Sequence, residues 1–259
     1  FSAGNINAPE HVIRVNSFST ATGAVADFGF SFSAITNNRG DNTDDAAGVD
    51  RIQQGSLRQF ILNSNAISGV QTSNFSIGLP AGGVQTISLA GATFATLTDT
   101  VVLDATTQEG AGTTPRIAID GNSLAGNGFT LGPGADGSTV RGFLIRDFAN
   151  TGIQIQAGSE NNVVAGNWIG AITTGGAADI ATERNDLYGI EVLGAWNTVG
   201  GATAADGNVV SGNNTGIVVQ NAAGNTIRGN IVGLLADGDT VQANVDEGIQ
   251  VLGASVTVI

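Results

Sequence analysis

An inverting glycosidase needs two carboxylates held about 6.5–9.5 Å apart. Two pairs in this sequence sit at separations that neighbouring turns of a repeating chain could bring together: Asp147 with Glu191, and Asp186 with Glu160. Arg146, next to Asp147, is the nearest approach to the basic residue beside acidic ones that a polysaccharide lyase uses. The single histidine, His11, lies in a short predicted strand over residues 10–16, far along the chain from those carboxylates. A lone histidine there reads as a surface or packing residue. Cys is 0, which removes thiolate nucleophiles, thiolate metal sites and disulfides together. Because base, acid and nucleophile converge nowhere, no catalytic residue, no metal ligand and no cofactor-binding residue is assigned. The chain is expected not to be an enzyme.

Three other residue groups could bind. Asp41-Asn42-Thr43-Asp44-Asp45, Asp237-Gly238-Asp239 and Asp246-Glu247 offer oxygen ligands to calcium. None has the EF-hand spacing with its Gly and Glu, and acidic turns are common in their own right, so calcium has weak support. Trp168 and Trp196 could stack on a sugar or fill a core. Alternation with an inward Ile169 points Trp168 outward, and burial beneath residues 171–187 is the expectation for so large a ring. Asn213-Asn214-Thr215 fits the glycosylation sequon; Asn5-Ile6-Asn7 does not.

Composition limits the partners. The net charge is −13 and the 9 basic residues are all Arg, so the stripe of cations that neutralises phosphates is missing. Nucleic acid is therefore a poor partner, and anionic membrane surfaces are disfavoured for the same reason. No apolar run reaches the ~18 residues of a spanning helix. Hydrophobic residues make up 41% but aromatics only 5%, which predicts a core of small aliphatics rather than large aromatic anchors. An acidic, Cys-free chain beginning at Phe1 suggests a processed extracellular or cell-surface protein.

The elements that must position these residues come from internal repeats. One phrase is Gly, a bulky apolar residue, any residue, an aliphatic: Gly128-Phe129-Thr130-Leu131, Gly152-Ile153-Gln154-Ile155, Gly189-Ile190-Glu191-Val192, Gly216-Ile217-Val218-Val219 and Gly248-Ile249-Gln250-Val251. A second begins at Asn162, Asn197 and Asn225, and a third at Asn167, Asn208 and Asn230. Their order is constant, and each reads as a short strand with period-2 alternation. Asn197 to Asn225 is 28 residues and Asn162 to Asn197 is 35, the longer turn carrying residues 171–187 as an insert. Three strands in fixed order make one coil. Stacked coils predict an all-β fold, a right-handed parallel β-helix, since parallel crossovers are right-handed in ~98% of cases. Ile153, Ile155, Val192, Ile217, Val219, Ile249 and Val251 are expected inside; Gln154, Glu191, Val218 and Gln250 outside. The asparagines are expected to form hydrogen-bonded ladders, and Gly152, Gly189, Gly216 and Gly248 to sit at turns with positive φ.

Residues 1–66 are expected to form an N-terminal strand, a polar loop over 36–50 and a cap, with the β-helix over 67–259. Leu57, Phe60 and Ile61 have helical spacing, Ser56 can cap that helix, and Gln59 completes a capping box. A helix there would close the first coil.

The stretch Gly55-Ser56-Leu57-Arg58-Gln59-Phe60-Ile61, with Asn63 and Asn65, resembles the SLR(E/Q)-A-I-x-x-A-N opening segment of large secreted bacterial parallel β-helix repeat proteins, among them surface adhesins. Leu103–Gly110, Pro115–Gly121 and Ser138–Phe143 resemble that family's IDGTTQ-x-G, P-x-I-x-L-D-G and S-T-V-R-G-L segments. The likeness runs from about residue 12 to the last residue. Gly55 stands where the family's Cys-Ser-Leu-Arg form has Cys, and residues 20–35 are an Ala/Gly/Phe-rich departure. The resemblance implies a secreted, capped β-helix and says little about activity. Pectinases and polysaccharide lyases also use β-helices, but the polygalacturonase-like Asn-Thr-Asp, Asp-Asp, Gly-His-Gly and Arg-Ile-Lys pattern is missing. The expected role is an extracellular structural or adhesive protein, with a carbohydrate-active enzyme as the alternative. Val256, Val258 and Ile259 form an apolar edge. Its expected partners are further chain, or other copies stacked head-to-tail into a filament or surface layer; surface carbohydrate is the other expected partner.

Overall fold

The computed structural model describes residues 33–41, 55–78, 83–253 and 255–258. The expected strand at 10–16, His11, Asn42–Asp45 and Ile259 lie outside the described residues. The fold is mostly β, and its main sheets are parallel. Seven strands form one sheet, from Gln71–Thr72 to Val256–Val258; six form a second, from Gln85–Ser88 to Ile231–Val232; five form a third, from Phe129–Leu131 to Ile249–Leu252. From Thr139 onward the chain visits the seven-, six- and five-stranded sheets in rotation, and each visit adds a strand parallel to the previous one.

The three repeated phrases are these strands. The first phrase runs in register down the five-stranded sheet: Ile153 pairs with Phe129 and Ile190, and Ile217 with Ile190 and Ile249. The second joins the seven-stranded sheet and the third the six-stranded one. Alternation sends every second side chain inward, so Ile145, Ile169 and Val210 form one buried column and Ile153, Ile190 and Ile217 another.

The core differs from the aliphatic one that composition suggests. Phe60, Phe75, Phe129, Phe143 and Phe148 are among its largest fully buried side chains. Phe129 lies 5.4 Å from Phe94 and 5.2 Å from Phe143, ring centre to ring centre. No Phe follows position 148. The described phenylalanines lie in the helix Leu57–Ala66 and the first circuits, and Ile and Val fill the inward columns of the later ones.

Gly152, Gly189, Gly216 and Gly248 also differ from the expected turn glycines, because none has positive φ. Gly152, Gly189 and Gly216 are required for space. A Cβ on Gly216 would stand 2.4 Å from the Gly248 carbonyl oxygen, and one on Gly189 would stand 2.7 Å from that of Gly216 and 2.6 Å from Val210 Cγ1. Gly248 ends this series, with its nearest neighbour, Val232 Cγ1, at 3.3 Å. The left-handed corners fall elsewhere, for example at Gly142 and Gly166.

The helix Leu57–Ala66 precedes the strands of the three main sheets and buries Leu57, Phe60 and Ile61. Ser56 caps it by accepting from Gln59 N–H, as expected, but the Gln59 amide donates forward to Asn63 Oδ1 at 3.0 Å. Arg58 is the bolt of this helix. Buried, it donates to the carbonyls of Gly40, Asp41, Ala92 and Thr93, and its guanidinium lies 5.4 Å from the Phe94 ring centre. Gln108, in the resembling TTQ segment, is also buried and exchanges two 2.9 Å hydrogen bonds with the Ile77 backbone, replacing a strand neighbour. On the last strand of the five-stranded sheet Ile249 and Val251, whose counterparts Ile217 and Val219 are fully buried, are 37% and 40% exposed. Val256–Val258 forms the last strand of the seven-stranded sheet beside Asn225–Arg228. Among the described residues, no helix is long and apolar enough to cross a membrane.

Candidate functional sites

The asparagines hold the corners. Asn162 donates its backbone N–H and its Nδ2 to Asn197 Oδ1, at 2.8 and 2.9 Å, and Asn197 N–H donates to Asn225 Oδ1 at 2.7 Å. The register places Val256 next in this column, where no amide continues the series. Asn167 donates in the same way to Asn208, and Asn208 to Asn230; the Nδ2 groups of Asn208 and Asn230 also reach back to the Val164 and Val199 carbonyls. Each side chain therefore satisfies buried backbone groups where a strand ends and its ladder partners stop. A third ladder, unforeseen from sequence, joins Asn185, Asn213 and Asn244. Asn213 is fully buried and its Nδ2 donates to the Ile169 carbonyl and to Asn244 Oδ1, so the sequon there is structural and its acceptor nitrogen is enclosed. Asn185 was hidden because the insert displaces it from the repeat spacing.

Neither expected carboxylate pair shares a set of neighbours. Glu191 lies in the five-stranded sheet, nearly buried, and accepts from Gln154 Nε2 at 2.6 Å and Gln220 Nε2 at 3.3 Å. Asp147 lies in the six-stranded sheet and accepts from Ser123 Oγ at 2.7 Å. Asp186 pairs with Arg184, whereas Glu160 sits at another corner, where its N–H donates to Asp136.

A different group does converge. Arg146 bridges Asp120 at 3.1 Å and Glu183 at 2.7 Å. Glu183 ends the short helix Ile180–Glu183 of the insert, so this ion pair latches the insert onto the six-stranded sheet. Beside it the pairing of Ile117–Leu124 with Phe143–Phe148 is interrupted between Asp120 and Leu124, and Asn122, Ser123 and Asp147 all have left-handed backbone. Bulges and strained non-glycine residues concentrate at functional sites. Burial pushes the Asp147 carboxyl above its ordinary range; the Ser123 hydrogen bond opposes this and the nearby Asp120 charge adds to it. The cluster is a strained, charged corner.

A groove of about 480 Å³ lies on the outer face of the six-stranded sheet. Its floor is the outward column Trp168, Val209 and Ile231, contributed by three successive strands. Trp168 points outward, as alternation requires. It is half-buried, packed against Ile172 of the insert and against Val209 and Leu235, so the insert covers it only in part. Thr113 and Thr114 form part of the wall, and Ala205 and Ala236 another part. Asp237 is the one ionisable residue in the described lining. The two loops bearing Ala205 and Ala236 are each pinned by a carboxylate: Asp206 accepts from Thr203 Oγ1, and Asp237 from Thr240 Oγ1, both at 2.6 Å. These hydrogen bonds hold both carboxyls below their ordinary range. Trp196, the second candidate, is 61% exposed at a left-handed corner, with its ring over Gly224.

Among the described residues, no group of three or more His, Asp or Glu is placed to hold a metal ion. The Asp237 carboxylate is instead engaged with its own turn. No protein-family model matches the chain, and no curated protein matches it either.

Proposed function

We propose that the chain is a right-handed parallel β-helix acting outside the cell as a structural scaffold or adhesive rod. The observation that carries this reading is the rotation among three parallel sheets, whose stacked strands share inward columns and corner ladders. The likeness of the opening segment to secreted β-helix surface proteins supports it, as does an acidic surface without Lys or Cys. Assembly would use the apolar C-terminal face, where Ile249, Val251 and Leu252 are exposed on the last strand of the five-stranded sheet. The helix Leu57–Ala66 lies toward the other end, so further chain or a second copy would meet Ile249, Val251 and Leu252. A polysaccharide-degrading enzyme is the weaker reading, because one carboxylate in the described groove lining falls short of the acid–base pair such an enzyme needs.

Electron microscopy of the purified chain, with mass from light scattering, tests the proposal. Fibres, sheets or end-joined rods support a scaffold. Compact monomers that bind no cell or glycan surface, or that cleave polysaccharide, overturn it.

A further inference from the structure

We propose that the groove over Trp168, Val209 and Ile231 binds an uncharged oligosaccharide, which rests on and sharpens the adhesive reading above. Three features converge. First, the floor is an apolar column crossing three strands, with a half-buried indole at one end, a half-buried Ile231 at the other and Val209, only 3% exposed, between them. Adjacent strands lie about 4.8 Å apart, so the stripe is roughly 10 Å long, the length of a disaccharide. The volume also lies in the usual range of small-molecule sites. A sugar ring presents an apolar face to such a floor and hydroxyls to its walls, where Thr113, Thr114 and backbone groups stand.

Second, charge selects among ligands. The described lining has no cation, and its one carboxylate is occupied by Thr240 and by the Asp239 and Thr240 N–H groups. Arg141 and Arg228, the guanidiniums that act on Asp206 beside the groove, extend from the seven-stranded sheet. With a net charge of −13, a polyanion such as a uronate chain or a nucleic acid would meet net repulsion, with only Arg141 and Arg228, already facing Asp206, to offset it. A peptide that binds by strand addition would need an unpaired strand edge, whereas this groove lies on the face of the sheet. Third, the walls are preorganised. The Asp206–Thr203 and Asp237–Thr240 bonds fix both flanking loops, which lowers the ordering cost of binding.

The chain has two tryptophans, so Trp196→Phe leaves Trp168 as a direct reporter. Its emission is titrated with maltohexaose, cellohexaose and chitohexaose, with hexagalacturonate as the anionic comparison. The expected result is a saturable change with at least one neutral sugar, at a Kd of about 1 mM or tighter, and none with the uronate. Ala236 is exposed, so Ala236→Arg should fold normally while obstructing the groove; calorimetry should show about tenfold weaker binding or worse. Trp168→Ala should lose at least as much, with circular dichroism unchanged. Emission that stays flat with all three neutral sugars up to about 10 mM overturns the proposal, as does undiminished affinity in Ala236→Arg. If the sugar binds but the chain neither assembles nor adheres, the adhesive reading fails and the groove stands. If the chain adheres and the titration is flat, only the groove fails.

Discussion

Replacing Asn208 by Ala tests whether the corner ladders carry stability. Asn208 is fully buried. Its Oδ1 accepts from Asn167 N–H at 2.9 Å and its Nδ2 donates to the Val164 carbonyl at 2.8 Å. Its Oδ1 also accepts from Asn167 Nδ2 and its Nδ2 also donates to Asn230 Oδ1, so alanine removes four bonds and leaves two buried backbone groups, Asn167 N–H and the Val164 carbonyl, without a partner. Each buried group left unsatisfied costs about 1–3 kcal/mol, so the expected loss is about 2–6 kcal/mol, a large part of the ~5–15 kcal/mol that holds a typical domain folded. Asn214→Ala is the control, since that side chain makes an exposed bond to Asp246 and should cost about 0.5 kcal/mol or less. Urea unfolding, followed by tryptophan emission and circular dichroism, reads the difference. Asn208→Asp separates hydrogen bonding from shape. It keeps an acceptor toward Asn167 but aims a second oxygen at the Val164 carbonyl, so burial and this repulsion raise its pKa. A raised native pKa means the folded state holds the proton longer, so this variant's deficit against wild type grows as pH rises from about 3.9, the unfolded carboxyl value, toward the raised native one. A loss under about 1 kcal/mol in Asn208→Ala, or a deficit in Asn208→Asp that ignores pH, would refute the assignment.

Three further outcomes follow from the geometry. Arg58→Met removes the donor to four carbonyls and should cost about 3 kcal/mol or more, with hydrogen exchange accelerated first across Leu57–Ala66. Gly170→Ala combines φ +116° with a Cβ 2.1 Å from the Ser211 carbonyl oxygen and should cost about 3 kcal/mol or prevent folding; Gly158→Ala, with φ +82° and its nearest neighbour at 3.7 Å, should cost only about 1–2 kcal/mol in thermal melts. Asp147→Asn should raise the melting temperature slightly at neutral pH, by under about 1 kcal/mol in stability. The native Asp147 carboxyl is raised, so its ionisation opposes folding as pH climbs from 3.8 through the raised value; the advantage should vanish below 3.8.

The repeats made the three sheets legible because a strand stacked in register must repeat its inward residue at every circuit. Gly152-Ile153-Gln154-Ile155 and Gly216-Ile217-Val218-Val219 are alike because their backbones meet the same neighbours. The meaning of the glycines was not legible. Sequence cannot distinguish a glycine that supplies positive φ from one that makes room for the next circuit's carbonyl, and Gly189 and Gly216 are the second kind. The phenylalanines illustrate a related limit. A low aromatic total bounds the average core but is silent about where the rings collect, and here the described Phe side chains lie in the helix Leu57–Ala66 and the early circuits.

Sites are harder to read than folds because they occupy the positions the repeat leaves free. Asp147 looked like a partner for Glu191 when separation along the chain was the only guide, yet sheet assignment sends the two to different faces. The residues that meet Asp147, Asp120 and Ser123, belong to a bulge that breaks the register, and no periodic pattern predicts its own interruption. Trp196 makes the same point from the opposite direction. The register places it in a corner column with Asn161 and Gly224, all three with left-handed backbone, a conformation that favours Asn and Gly. A bulky aromatic there is strained and largely exposed, so packing does not explain its presence. In this protein the departures from the repeat, namely the bulge at Asp120–Leu124, the outward Trp168 and the left-handed Trp196, are the positions that stacking of the circuits does not by itself require.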